Sequence, residues 1–95
     1  MAKRKTIKIC GQIFKIVYKT KLTNRKGEAL LGECDVNKLT IYLLKGLTPE
    51  KETQILVHEA AHAIDKMLDL GLNEHKVVLL SLHIISLIRD NKLKL

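Results

Sequence analysis

The chain has no tryptophan, one phenylalanine and two tyrosines, so any core must be built mainly from aliphatic side chains. Its one proline, Pro49, and the lack of any Gly/Ser-rich tract leave nothing that reads as an interdomain linker. Two cysteines, Cys10 and Cys34, without Cys-x-x-Cys spacing, exclude a disulfide framework and a thiolate metal site. Each reads as a small strand residue, buried or half-buried. The longest apolar run, Val77 to Ile88, is interrupted by Ser81 and His83 and is too short to span a bilayer. Met1 to Lys5 is basic, but Thr6 to Tyr18 alternates polar and apolar residues rather than forming a signal-peptide core, so a cytoplasmic location and no membrane partner are expected. Acid is missing from residues 1–27, which hold nine Lys or Arg, and the formal net charge of +7 therefore resides in the N-terminal third. Such a segment can meet nucleic acid or an acidic protein, but Phe14 and Tyr18 are the only rings there to stack on bases, which favours solvated strand faces.

What is present is a sequence of 95 residues, 46% apolar and 28% charged, enough for one globular domain, 1–95, with one modest core. Thr6 to Lys19 alternates in two phases broken at Gly11, which predicts two antiparallel strands with Lys8 and Lys15 facing water. Thr20 to Glu28 is a polar loop, and Leu30–Asp35 and Leu39–Leu44 read as a hairpin through Val36-Asn37-Lys38. The expectation is an α+β fold, with an antiparallel meander of three to four strands over 1–45. A helix over 48–70 follows, with Thr48 as N-cap, Pro49 in the first turn and Gly71 as its stop. Asn73 caps a second helix over 73–91 that is apolar nearly all round, apart from a polar line of Lys76, His83 and Asp90. A helix of that composition is expected to be packed between the sheet and the first helix, or against a second copy of the chain as a homo-oligomer.

The chemistry is concentrated in Leu56-Val57-His58-Glu59-Ala60-Ala61-His62-Ala63-Ile64. On a helix, His58 and His62 lie about 40° apart around the axis, so both imidazoles can grip one ion, while Glu59 is about 100° from His58 and free to act on a water. This is the HExxH arrangement of zincins: two imidazoles on Zn2+, room for a third protein ligand and a water, and a carboxylate as general base. The competing explanation is a solvated helix face, because Gln54, His58, His62, Asp65 and Asp69 form one polar stripe. Against it stand Val57, Ala60, Ala61, Ala63 and Ile64, an apolar setting whose small residues let other backbone come close.

Asp65, Glu74, His75 and His83 are the candidates for a third ligand. Asp65 shares a straight helix with the histidines and can hardly complete a tetrahedron with them, so its place is behind the ligands. Glu74 and His83 stand about 180° apart on their helix and cannot both face the ion. A flat helical hairpin favours His83 and a steep crossing favours Glu74, and spacing alone leaves both open.

The motif helix followed by Asn73-Glu74 resembles the gluzincin pattern, in which a Glu on the next helix completes the site. More narrowly, Leu31-Gly32-Glu33-Cys34-Asp35, Thr40-Ile41-Tyr42-Leu43, Leu47-Thr48-Pro49-Glu50, the motif and Arg89-Asp90-Asn91 resemble small phage and firmicute proteins grouped with ImmA/IrrE-like metallopeptidases and single-domain minigluzincins. That resemblance implies Zn2+ held by His58, His62 and Glu74, Glu59 as general base, and hydrolysis of a peptide or protein substrate. Leu39–Leu44 is the candidate edge strand for an extended substrate, and Tyr42 or His75 the candidate oxyanion partner. The alternative is a non-catalytic or latent module of the same fold that binds nucleic acid or an acidic protein through its basic half.

Overall fold

The computed structural model describes residues 4–93. Among them, β1 (Thr6–Ile9), β2 (Gln12–Lys19), β3 (Gly32–Asp35) and β4 (Thr40–Leu44) precede α1 (Pro49–Leu68) and α2 (Glu74–Asp90), an α+β arrangement. The sheet is mixed, not an antiparallel meander. Its order is β1-β2-β4-β3, with β4 parallel to β2 and antiparallel to β3. The chain leaves β2, passes the end of β4 through residues 20–31, and returns as the β3–β4 hairpin, so the later strand occupies the centre and β3 the edge.

Side-chain character explains that order. In β4, Ile41 and Leu43 are fully buried and Thr40 nearly so, as befits a strand with a neighbour on both sides. β3 is short and carries Glu33 and Asp35, charges that suit an edge. Leu39–Leu44, expected as the edge, therefore holds one of the two interior strands. The β1–β2 turn is made by Cys10 at φ 50° and Gly11 at φ 79°, consecutive left-handed residues that match the twist of a two-residue hairpin. Cys10 is thus an exposed turn residue, not a strand residue, while Cys34 is half-buried in β3.

Phe14, Ile16, Ile41 and Leu43 project from the sheet onto Leu56 and Ala63 of α1, and Ile9 closes the same cluster. Removing a side chain such as Phe14, with no exposed surface, costs about 3–5 kcal/mol. Thr48 caps α1 by accepting from Lys51 N at 3.2 Å, and Asn73 caps α2 by accepting from Lys76 N at 2.8 Å. α1 ends at Leu68, two residues before the sequence suggested, because Asp69 adopts the left-handed conformation at φ 52° ahead of Gly71 at φ 68°. Two such residues in quick succession reverse the chain sharply.

The second helix is not sandwiched between sheet and α1. It packs on α1 and touches none of the strands. Val77, Ser81 and Ile85, its buried line, therefore face α1, and Arg89 reaches Glu50 at 3.5 Å near the far end of the pair. The layers run sheet, α1, α2, with α1 covered on both sides. Among the described residues, no helix is long and apolar enough to cross a membrane.

Candidate metal centre

α1 shows the sheet one face and α2 another. His58, His62 and Lys66 follow one another at i, i+4, i+8 along the strip left open between them. This strip is the floor of a cleft of about 320 Å³, walled by Leu30, Gly32, Glu33 and Cys34 on one side and Glu74 on the other. Gly32 is where β3 comes closest to α1: a Cβ there would stand 2.5 Å from Ile55 Cγ2 and 3.2 Å from Glu59 Cγ.

Three donor groups converge in the cleft. His58 Nε2 and His62 Nε2 are 3.2 Å apart, and the Glu74 carboxylate places one oxygen 3.1 Å from each ring nitrogen. Ligands of a tetrahedral ion with bonds of about 2.0–2.1 Å stand about 3.3–3.4 Å apart, so the donor set and its spacing fit a zinc-sized ion. The imidazoles are about three-quarters buried and the carboxylate is open to solvent at 64%. Burial, reinforced by the neighbouring His58, holds the His62 imidazole below its ordinary value against the pull of Glu74, which favours the neutral form that binds metal.

How Glu74 reaches the histidines is visible in the turn. Asp65 Oδ1 accepts from Leu72 N at 2.9 Å, and Asp65 O accepts from Leu70 N at 3.0 Å. Asp65 therefore ties the interhelical linker to α1 and holds the start of α2, with Glu74 as its first residue, over the floor of the cleft. With Glu74 at the histidines, Ser81 level with His58 and Arg89 at Glu50, α2 runs back along α1 as a hairpin rather than crossing it steeply. It is the face each residue occupies that brings Glu74, not His83, to the histidines. His83 lies exposed on the face of α2 opposite Val77, Ser81 and Ile85, and His75 is exposed outside the cleft lining. Tyr42 is on β4 beneath the Lys19 ammonium, 5.2 Å from its ring centroid, and is not in the cleft either.

Glu59 is not part of the donor cluster. It is only 8% exposed, next to the histidines and against β3. Burial first, then the negative charges of Glu74 and Glu33, push its carboxyl up from 4.5 to about 7, with Lys66 opposing. A carboxyl with that value can take and return a proton near neutral pH.

Two contributors were not foreseen in the sequence. Ser81, buried on α2, has its hydroxyl 3.5 Å from His58 Nδ1 while donating to Val78 O at 3.0 Å, and so stands behind the ring on the side away from the donor cluster. Its signal was its position amid apolar residues in a helix, where a polar side chain needs a partner. Lys66 was legible as the next i+4 step after His62, a cation on the rim of the same strip. The chain matches no protein-family model, no curated protein and no solved structure.

Proposed function

We propose that the chain is a minimal zinc-dependent peptidase of the gluzincin type, with His58, His62 and Glu74 holding the ion and Glu59 as general base. The observation that carries the reading is the pairing of a three-donor cluster at 3.1–3.2 Å spacing with a buried carboxylate beside it that belongs to no part of the cluster. A purely structural metal site has no use for that carboxylate, whose burial is a standing cost. When bound, the ion supplies Lewis acidity toward a carbonyl and toward water.

The chain's own residues perform the remaining work. The outer edge of β3 has no strand beside it among the described residues, so an extended peptide can add there with its backbone along Gly32–Asp35, at the wall of the cleft. β3 thereby takes the part assigned by sequence to β4. Glu59, held against Gly32, takes a proton from the attacking water and returns it to the leaving amine. Lys66 brings positive charge to the rim of the cleft, where a developing oxyanion is stabilised. Ser81 keeps the His58 ring oriented.

The test is metal content with peptide-library cleavage on wild type, His58→Ala, Glu74→Ala, His83→Ala and Glu59→Gln. The proposal expects one zinc per chain in wild type, His83→Ala and Glu59→Gln, loss of metal in the other two, and no cleavage with Glu59→Gln. A wild type that takes up no zinc sinks it.

A second reading rests on the sheet face turned away from the helices, where Lys8, Lys15 and Lys19 are exposed. That face can bind a polyanion by charge, though Tyr42 is half-buried and already covered by Lys19. Binding of single-stranded nucleic acid with a steep salt dependence, lost on replacing the three lysines, would favour this reading.

A further inference from the structure

α2 carries a surplus of apolar surface on the side that α1 does not cover. Leu79, Leu80 and Leu87 are 43%, 41% and 57% exposed, and with Lys76, His83, Ser86 and Asp90 they occupy an arc of about 120° opposite Val77, Ser81 and Ile85. We propose that this face pairs with the same face of a second copy of the chain, the two α2 helices lying antiparallel about a two-fold axis through His83.

The pattern of side chains around His83 supports that partner over any other. In an antiparallel pair centred there, each residue before His83 meets the one equally far after it on the other helix. Lys76 and Asp90 stand seven positions on either side, so each pair of ends brings opposite charges together, twice per dimer. Leu79 and Leu87, four positions away on either side, meet each other, and Leu80 meets the small Ser86, three away, which leaves room for it. A parallel pair would instead set Lys76 on Lys76 and Asp90 on Asp90.

The helix ends point the same way. Lys76 occupies the third position of α2, where an acid is usual, and Asp90 the last, where a base is usual, so both oppose the dipole of their own helix. Neither has an ionic partner among the described residues. Beside an antiparallel neighbour each sits at the favourable end of the other helix. Glu74 and Arg89, the charges with the usual placement, are already engaged with the histidines and with Glu50.

Helices of 17 residues are about 25 Å long, and such a pair buries less than the roughly 800 Å² per partner of stable assemblies. The association is therefore expected to be weak, and the cleft stays open because Glu74 is turned toward α1.

Sedimentation velocity across micromolar to millimolar concentration tests the pairing. Wild type is expected to dimerise, Leu87→Glu to weaken the dimer at least a hundredfold or so, and Ile13→Gln, an equally exposed apolar site on the sheet, to leave it unchanged. Lys76→Asp and Asp90→Lys should each weaken self-association roughly tenfold, yet associate with one another when mixed, which a misfolded variant could not do. A wild type that is monomeric throughout, a dimer indifferent to Leu87→Glu, or single variants that fail to complement would each overturn the antiparallel pairing.

Discussion

The two helices invert what their compositions suggest. α1, with its histidines and acids, is the polar one, and it is enclosed between sheet and α2. α2 is apolar nearly all round and covers α1 with one line of residues, leaving Leu79, Leu80, Leu82 and Leu87 in contact with solvent. What α1 buries is nonetheless apolar apart from Glu59: Leu56, Val57, Ala61 and Ala63. The middle layer holds the proposed ligands His58 and His62 and the buried Glu59 between sheet and α2. The small residues Ala61, at 1% exposure, and Ala63, fully buried, make that possible by letting both neighbours approach.

The largest test of this contrast is Glu59→Gln, which should separate activity from stability. Cleavage is expected to fall by about a hundred- to ten-thousandfold with zinc retained, measured by peptide turnover and metal content. In the metal-free protein the same change should stabilise at pH 8 by up to about 3 kcal/mol, since a carboxyl raised from 4.5 to about 7 costs that much to ionise in the fold. The native state binds this proton more tightly than the unfolded chain. Its contribution is therefore fully present below pH 4.5, declines as pH rises, and is lost above about 7. Denaturant melts of wild type and variant at pH 4 and pH 8 check the sign: the gap should close at the lower pH.

Ala61→Leu attacks the enclosure itself. A larger side chain at this buried position should cost about 1–3 kcal/mol in melts and weaken zinc affinity by displacing α2, and Glu74 with it. Smaller still is Asp65→Ala, which frees Leu72 N and the linker. About 1 kcal/mol is expected from the lost hydrogen bond, with zinc affinity falling more than stability does. At the bottom is Leu82→Gln on the outer side of α2, where a change within about 0.5 kcal/mol in the thermal melt is expected. A large loss there would mean that α2 is more tightly covered within one chain than the fold shows.

The parts of the molecule legible in the sequence are those dictated by neighbours in the chain. Thr48, Pro49 and Asn73 mark where helices begin, Gly11 marks a hairpin, and the His58–His62 spacing marks a shared face, since each rests on local backbone geometry. Strand order does not. Antiparallel β3 and β4 were readable from their short connection, but which of them would lie beside β2 depends on how the chain uses residues 20–31, long enough to pass over one strand. The absence of any charge in Thr40–Leu44, and the apolar run from Ile41, was the available cue to an interior strand. The third donor was undecidable because it depends on how α2 is rotated and offset against α1. That placement goes with left-handed Asp69 and Gly71 and with the Asp65 clasp on Leu72, contacts that no helical spacing encodes. Ser81 was hidden for a similar reason: its role exists only once the helices pack together.

Gly32 has a consequence for how this cleft could change over generations of sequence. A side chain there would run into Ile55 and come tight against the stem of Glu59 and Tyr42 O, at 3.2 and 3.3 Å, so the close approach of β3 to Glu59 rests on the absence of an atom. Alanine, the smallest substitution, already requires the Ile55 side chain or β3 itself to shift. Substitution is easier to accommodate at the rim of the cleft, at Leu30, Glu33 and Lys66, than at position 32, where a neighbour must give way.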